Sequence, residues 1–92
     1  MVGAMSWQLQ YSPQAVRYLR KLDGHEARRI RDYLVDRIST LDDPRSVGKA
    51  LRGSDWGDCW RYRTGDYRII VDILDQEIVI HVLRIGNRKD VY

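Results

Sequence analysis

The chain has 92 residues, 43% of them hydrophobic and 32% charged, with a formal net charge of +3. That is enough for one domain with one modest core, expected over residues 1–92, and it excludes a second domain, a disordered tail and an internal repeat. Cys59 is the only cysteine, which excludes an intramolecular disulfide or a cysteine metal cluster and fits a reducing cytoplasm. The opening MVGAMSW lacks the basic start and long apolar stretch of a signal peptide, and its second methionine, Met5, leaves open that Met1 to Ala4 are a cloning remnant. The most apolar stretch, residues 67–85, is interrupted by Arg68, Asp72, Asp75, Glu77 and Arg84, so no membrane span is expected. A pI near 9.2 points only weakly toward an anionic partner.

Trp7, Leu9 and Tyr11 alternate with glutamines, which predicts a short half-buried strand. Ser12-Pro13 then supplies an N-cap hydroxyl and a proline at the first helical position. Ala15, Val16, Leu19 and Leu22 recur at helical spacing, with Arg17, Arg20 and Lys21 outside. Asp23 and Glu26 suit a capping box for a second helix, whose inner face carries Ala27, Ile30, Leu34, Ile38 and Leu41. Arg28 and Asp32 are spaced to pair on its outer side, and Asp42-Asp43-Pro44 should end it. Residues 47–53 read as a polar connection. Three strands follow, at about 58–64, 67–74 and 77–85, joined by a hairpin at Thr64-Gly65-Asp66 and a weaker turn at Asp75-Gln76. The predicted class is α+β in the order β-α-α-β-β-β. Two N-terminal helices cover one face of a mainly antiparallel, four-stranded sheet.

Alternation then sorts the side chains of the strands. Trp60 and Tyr62 share one face with the core stripe Tyr67, Ile69, Val71 and Ile73. Arg61, Arg63 and Arg68 fall on the other, with Arg63 and Arg68 close across the hairpin. Like charges at such range are destabilising. The cluster is therefore either an anion-binding face or a solvated face on which arginine stems cover apolar surface and Asp72 pairs with Arg68. Charge and alternation leave both readings open.

The order of elements, KALRG (Lys49 to Gly53), CWRYR, GDYRIIVDI (Gly65 to Ile73) and the closing VLRIGNRKDVY together resemble the RelE/ParE superfamily of toxins from bacterial type II toxin–antitoxin systems. The resemblance covers nearly the whole chain and is stronger toward the RelE branch. It implies a cytoplasmic, ribosome-dependent mRNA endoribonuclease that needs neither metal nor cofactor. The implied partners are a cognate antitoxin, in a hetero-oligomer, and a ribosome with mRNA in its A site. By motif, the implied catalytic residues are Arg61, Arg63, Arg68, Arg88 and Tyr92, with Lys49, Arg52, Trp56 and Lys89 as RNA-binding candidates around them. Well-studied RelE toxins carry lysines where this chain has Arg61 and Arg63. Arginine holds its proton to a pKa above about 12, which moves the role of base to Tyr92. The ParE branch implies instead a DNA gyrase inhibitor without nuclease chemistry. A non-toxic, basic nucleic-acid-binding module is the reading from a third class.

The remaining residues of chemical interest read as structural. His25, near a helix start, is expected to be exposed. His81, alternating with Val79, Leu83 and Ile85, is expected in the core or at an edge rather than in catalysis. Two histidines and one cysteine at unrelated spacings make no metal site. Trp60 is placed in the core, while Trp56, in the preceding loop, is open to base stacking or to covering the core.

Overall fold

The computed structural model describes residues 6–51 and 59–88. Strand β1, Gln8–Tyr11, leads into helix α1, Pro13–Lys21. Ser12 caps that helix as its sequence predicts: its Oγ accepts from the Ala15 N–H at 3.1 Å, and Pro13 opens the first turn. Helix α2, Gly24–Asp32, begins at Asp23, whose carboxylate accepts from the His25 N–H at 3.2 Å. It then widens into a π-helical turn, Tyr33–Ile38, closed by a 2.8 Å bond from the Ser39 N–H to the Leu34 carbonyl. The helix therefore stops well before Asp42. Arg28 and Asp32, expected to pair, are both exposed and form no ion pair among the described residues.

A short 3-10 turn, Pro44–Val47, precedes strand β2, which is only the two residues Lys49–Ala50. Strands β3, Trp60–Thr64, β4, Tyr67–Leu74, and β5, Val79–Asn87, then form an antiparallel meander. Gly65 opens the two-residue hairpin at φ 58, a conformation glycine adopts without Cβ strain. The β4–β5 connection is a 3-10 turn, Asp75–Glu77, that ends with Ile78 in the left-handed region.

The sheet order is β1-β5-β4-β3-β2, five strands rather than the four expected. It is also mixed, because β1 lies parallel to β5, with Leu9 against Ile80 and Tyr11 against Val82. The extra strand escaped the sequence reading because two residues carry no alternation signal. The parallel pairing joins the two ends of the fold and leaves no local trace.

Both helices pack on one face, where Leu19, Ile30, Leu34 and Ile38 meet Tyr62, Ile69, Val71 and Ile80 in a single core. Tyr62 is 1% exposed and satisfies its hydroxyl by donating to the Pro44 carbonyl at 2.6 Å. Arg45 holds the lower end together, with two bonds of 3.0 and 2.6 Å to the Asp75 carboxylate and its guanidinium 5.9 Å from the Trp60 ring centroid.

Candidate nucleic-acid interface

Residues paired across a ladder share a face of the sheet. On the face away from the helices, Lys49 pairs with Arg61, Arg61 with Ile70, and Ile70 with Arg84. One step toward the hairpin, Arg63 pairs with Arg68, and Arg68 with Gly86, which carries no side chain to crowd it. Arg88 follows the end of β5, held beside the hairpin by a 2.7 Å bond from its N–H to the Asp66 carbonyl. Of the expected site residues, Lys49, Arg61, Arg63 and Arg68 thus share one face and Arg88 stands at its rim. Arg52, Trp56, Lys89 and Tyr92 lie outside the described residues.

Strands sit about 4.8 Å apart, so the guanidinium groups of Arg63 and Arg68 can be kept apart only by side-chain rotation. Among the described residues no carboxylate pairs with them. Among the described residues, the ion pairs belong to Arg45, with Asp43 and Asp75 on another part of the molecule. Asp72, the one described carboxylate of this face, is opposite His81. It lies four residues along β4 from Arg68, about 13 Å in an extended strand, too far for the pair that would make the face merely solvated. The Nε atoms of Arg61 and Arg68 are buried and find no acceptor. Buried donors are ordinarily satisfied, so two unsatisfied ones on one face mark a place where the fold does not complete its own hydrogen bonding.

Between the arginines lies Ile70. It is 0% exposed yet stands outside the helix-side core, flanked in the ladder by Arg61 and Arg84. Aliphatic arginine stems suit such a position, covering apolar surface while the charged heads stay at the surface.

Arg84 was not among the expected site residues, and strict alternation counted from the core residues Ile80 and Val82 would misplace it. Ile70 faces Arg84, but the next residue, Val71, faces Val82, so Leu83 is an extra residue on β5. Without this bulge Arg84 would follow Ile80 and Val82 onto the core face. With it, Arg84 crosses to the arginine face and Ile85 takes the core position, 1% exposed. The adjacent apolar pair Val82-Leu83, which breaks strict alternation, was the available signal. His81 is correspondingly half-buried on the arginine side of the sheet, not in the helix-side core.

The ionisation of Tyr11, Tyr33, Tyr62 and Tyr67 runs against a role as base. Burial pushes the phenols of Tyr11, Tyr33, Tyr62 and Tyr67 upward; nearby Arg31 and Arg37 only partly offset this at Tyr11 and Tyr33. Tyr62, the most strongly shifted, is also committed as a donor to Pro44. Among the described residues no group of three or more histidine, cysteine, aspartate or glutamate side chains gathers to hold a metal, and no helix is long and apolar enough to cross a membrane.

A small α+β domain with a cationic sheet face opposite two helices is what the motif resemblance to the RelE/ParE toxins leads one to expect. The chain belongs to the family described as the ParE toxin of type II toxin–antitoxin systems, which matches residues 9–92. Among curated proteins it is similar to the mRNA interferase toxin RelE of Escherichia coli K12, 28% identical over 87 residues, covering 92% of this chain and 86% of that protein. Among solved structures it is similar to a chain of a RelBE toxin–antitoxin complex from Mycobacterium tuberculosis. There the TM-score is 0.81 at 25% identity, with 91% of this chain and 93% of that one covered. It is similar as well to a chain of the archaeal RelE–RelB complex from Pyrococcus horikoshii, with a TM-score of 0.71 at 28% identity over 91% of this chain and 97% of that one.

Proposed function

We propose that this toxin is a ribosome-dependent endoribonuclease that binds mRNA on the arginine face and cleaves it by attack of a 2′-hydroxyl on the adjacent phosphate, which expels the 5′-oxygen of the next nucleotide and leaves a 2′,3′-cyclic phosphate. The observation that carries the reading is the set of cations without acidic partners among the described residues, Arg61, Arg63 and Arg68, two of them with buried Nε donors lacking an acceptor. A pentacoordinate phosphorane is more negative than the phosphate it forms from, and preorganised donors aimed at that charge act most strongly where water is excluded. Arg68 and Arg88 are assigned to the non-bridging oxygens, where a planar fork can bond twice. Arg61 and Arg63 hold the backbone, with Lys49, Arg52, Trp56 and Lys89 extending the contact. Tyr92 takes the 2′-proton, since the arginines cannot.

The similarity to RelE, named an mRNA interferase, supports the reading, as does the likeness to chains solved in toxin–antitoxin complexes. By the same likeness the chain is expected to act in the cytoplasm and to be held by a cognate antitoxin that covers the arginine face or displaces the C-terminal segment. A second reading, gyrase inhibition, is favoured by the family match itself, which is to ParE.

Single-turnover cleavage on programmed ribosomes separates them. Arg88→Ala should lower the rate by about a hundredfold or more while leaving association nearly intact. Tyr92→Phe keeps the ring and deletes only the hydroxyl, so it should also slow cleavage. Co-expression of the antitoxin should restore growth. Wild-type cleavage by Tyr92→Phe would remove the tyrosine from proton transfer. An unbroken mRNA pool with DNA replication halted would replace the nuclease reading with gyrase inhibition.

A further inference from the structure

We propose that Arg84 is a further phosphate-binding residue of this face, delivered there by the β5 bulge, and that Gln14 is the residue that positions it. The inference rests on the reading of the face as an RNA-binding surface and adds a residue and a device to it.

The bulge is a held feature rather than a loose one. Strand β1 ends at Tyr11, opposite Val82, so β5 loses its parallel neighbour where the extra residue begins. The N-cap residue and a side chain of the first turn of α1 take over its backbone. The Ser12 N–H donates to the Val82 carbonyl at 2.9 Å, and the Ser12 hydroxyl to the Leu83 carbonyl at 2.6 Å. The Gln14 amide then engages both backbone groups of Ile85, accepting from its N–H at 3.1 Å and donating to its carbonyl at 3.3 Å. A carboxamide here does the work of a missing strand. It fixes Ile85 into the core, which leaves Arg84, one residue earlier, on the opposite face.

What the device delivers is a charge, not a core residue. Arg84 is half-buried and has no ion-pair or hydrogen-bond partner among the described residues. It stands across Ile70 from Arg61, so the two guanidinium stems bracket an apolar floor two strand spacings wide, about 10 Å. Arg63 and Arg68 occupy the next row toward the hairpin. Two rows of cations offset along the strands can hold more than one phosphate of an extended single strand, with Arg84 taking a phosphate that flanks the one held by Arg68. Bulges recur beside functional sites because they re-aim a side chain, and here the re-aimed side chain is a cation joining other cations.

The test is binding of a short fluorescent single-stranded RNA, read by anisotropy as a function of salt, which requires no cleavage and no ribosome. Arg84→Ala should weaken binding about fivefold or more at low salt and make the log–log salt slope shallower by about 0.7, the value for one lost single-strand phosphate contact. Arg84→Lys should restore most of the slope. Arg28→Ala, which removes the same charge from the exposed surface of α2, should leave it unchanged. Gln14→Leu should shift the slope toward that of Arg84→Ala although Arg84 is still present, and circular dichroism checks that it folds. If Gln14→Leu does not fold, the alanine and lysine variants of Arg84 decide alone. A wild-type slope for Arg84→Ala beside a shallower one for Arg61→Ala overturns the proposal and spares the face. Wild-type slopes for both overturn the RNA-binding face itself.

Discussion

Arg63 and Arg68 stand directly opposite each other in the ladder with no described carboxylate to separate them. Cross-strand pairs contribute roughly 0.2–1 kcal/mol, and like charges do so with the unfavourable sign. Arg63 is exposed, so solvent screens part of this repulsion. Its replacement by a residue suited to a strand should therefore help folding while harming binding. Arg63→Thr is expected to stabilise the isolated protein by about 0.5 kcal/mol, which for a domain of this size raises Tm by roughly 2–4 °C. The same variant should bind RNA more weakly, with a shallower salt slope. Thermal unfolding and RNA titration of one preparation check both. A loss of stability in Arg63→Thr would mean that the arginine stem contributes more by covering the sheet than its charge costs. This opposition between stability and function is what a binding face produces and a merely solvated face does not.

At the scale of elements, the site depends on supports that never touch it. Strand β3 carries Arg61 and Arg63 outward only because Tyr62 is anchored inward, its hydroxyl bonded to Pro44 and its ring edge-on to Tyr33 at 6.4 Å between centroids. Tyr62→Phe keeps the ring and leaves the Pro44 carbonyl without its donor, which should cost about 1–2 kcal/mol. The expected readout is a lower urea midpoint at unchanged slope, with RNA affinity of the folded fraction preserved. A wild-type midpoint would mean that another donor reaches Pro44 once the hydroxyl is gone. Other element-level features were legible beforehand: the Ser12-Pro13 cap, the Gly65 turn and the exact span of β4 all follow from local propensity and period. The bulge on β5 was not. It depends on Ser12 and Gln14, each 71 residues from its bonded partner in β5.

Across the whole molecule, Arg45 ties the segment before β2 to the β4–β5 turn through Asp75. The hydrogen bond from Arg45 holds the Asp75 carboxyl below the usual carboxylate range, with the charge of Arg45 adding to it. A depressed folded-state value means that the pair stabilises the fold above the unfolded carboxyl's pKa, about 3.9, and that this stabilisation is lost as pH falls through the lower folded value. Asp75→Asn should therefore lower Tm near neutral pH, and the gap from wild type should close as the pH is taken down through the lowered folded-state value of the Asp75 carboxyl. Because Asp75 is largely exposed, the gap should also shrink in high salt. A gap independent of both pH and salt would assign the effect to the turn geometry and not to the charge.

The sequence by itself determined the class of fold, the cap and facing of the first helix, the hairpin register that sets Arg63 against Arg68, and the family resemblance carried by its motifs. All of these reside in neighbours along the chain or in a period of 2 or 3.6 residues, where a side chain's preference and its position are fixed together. Tertiary structure decided the parallel pairing of β1 with β5, the two-residue fifth strand, the pairing of Arg45 with Asp75 instead of Arg28 with Asp32, and the face on which Arg84 emerges. Each of those was settled by competition between backbone groups and side chains far apart in sequence. A strand's period predicts which way a residue points only while the ladder stays in register, and here one glutamine amide and one serine hydroxyl from α1 hold it out of register by a single residue.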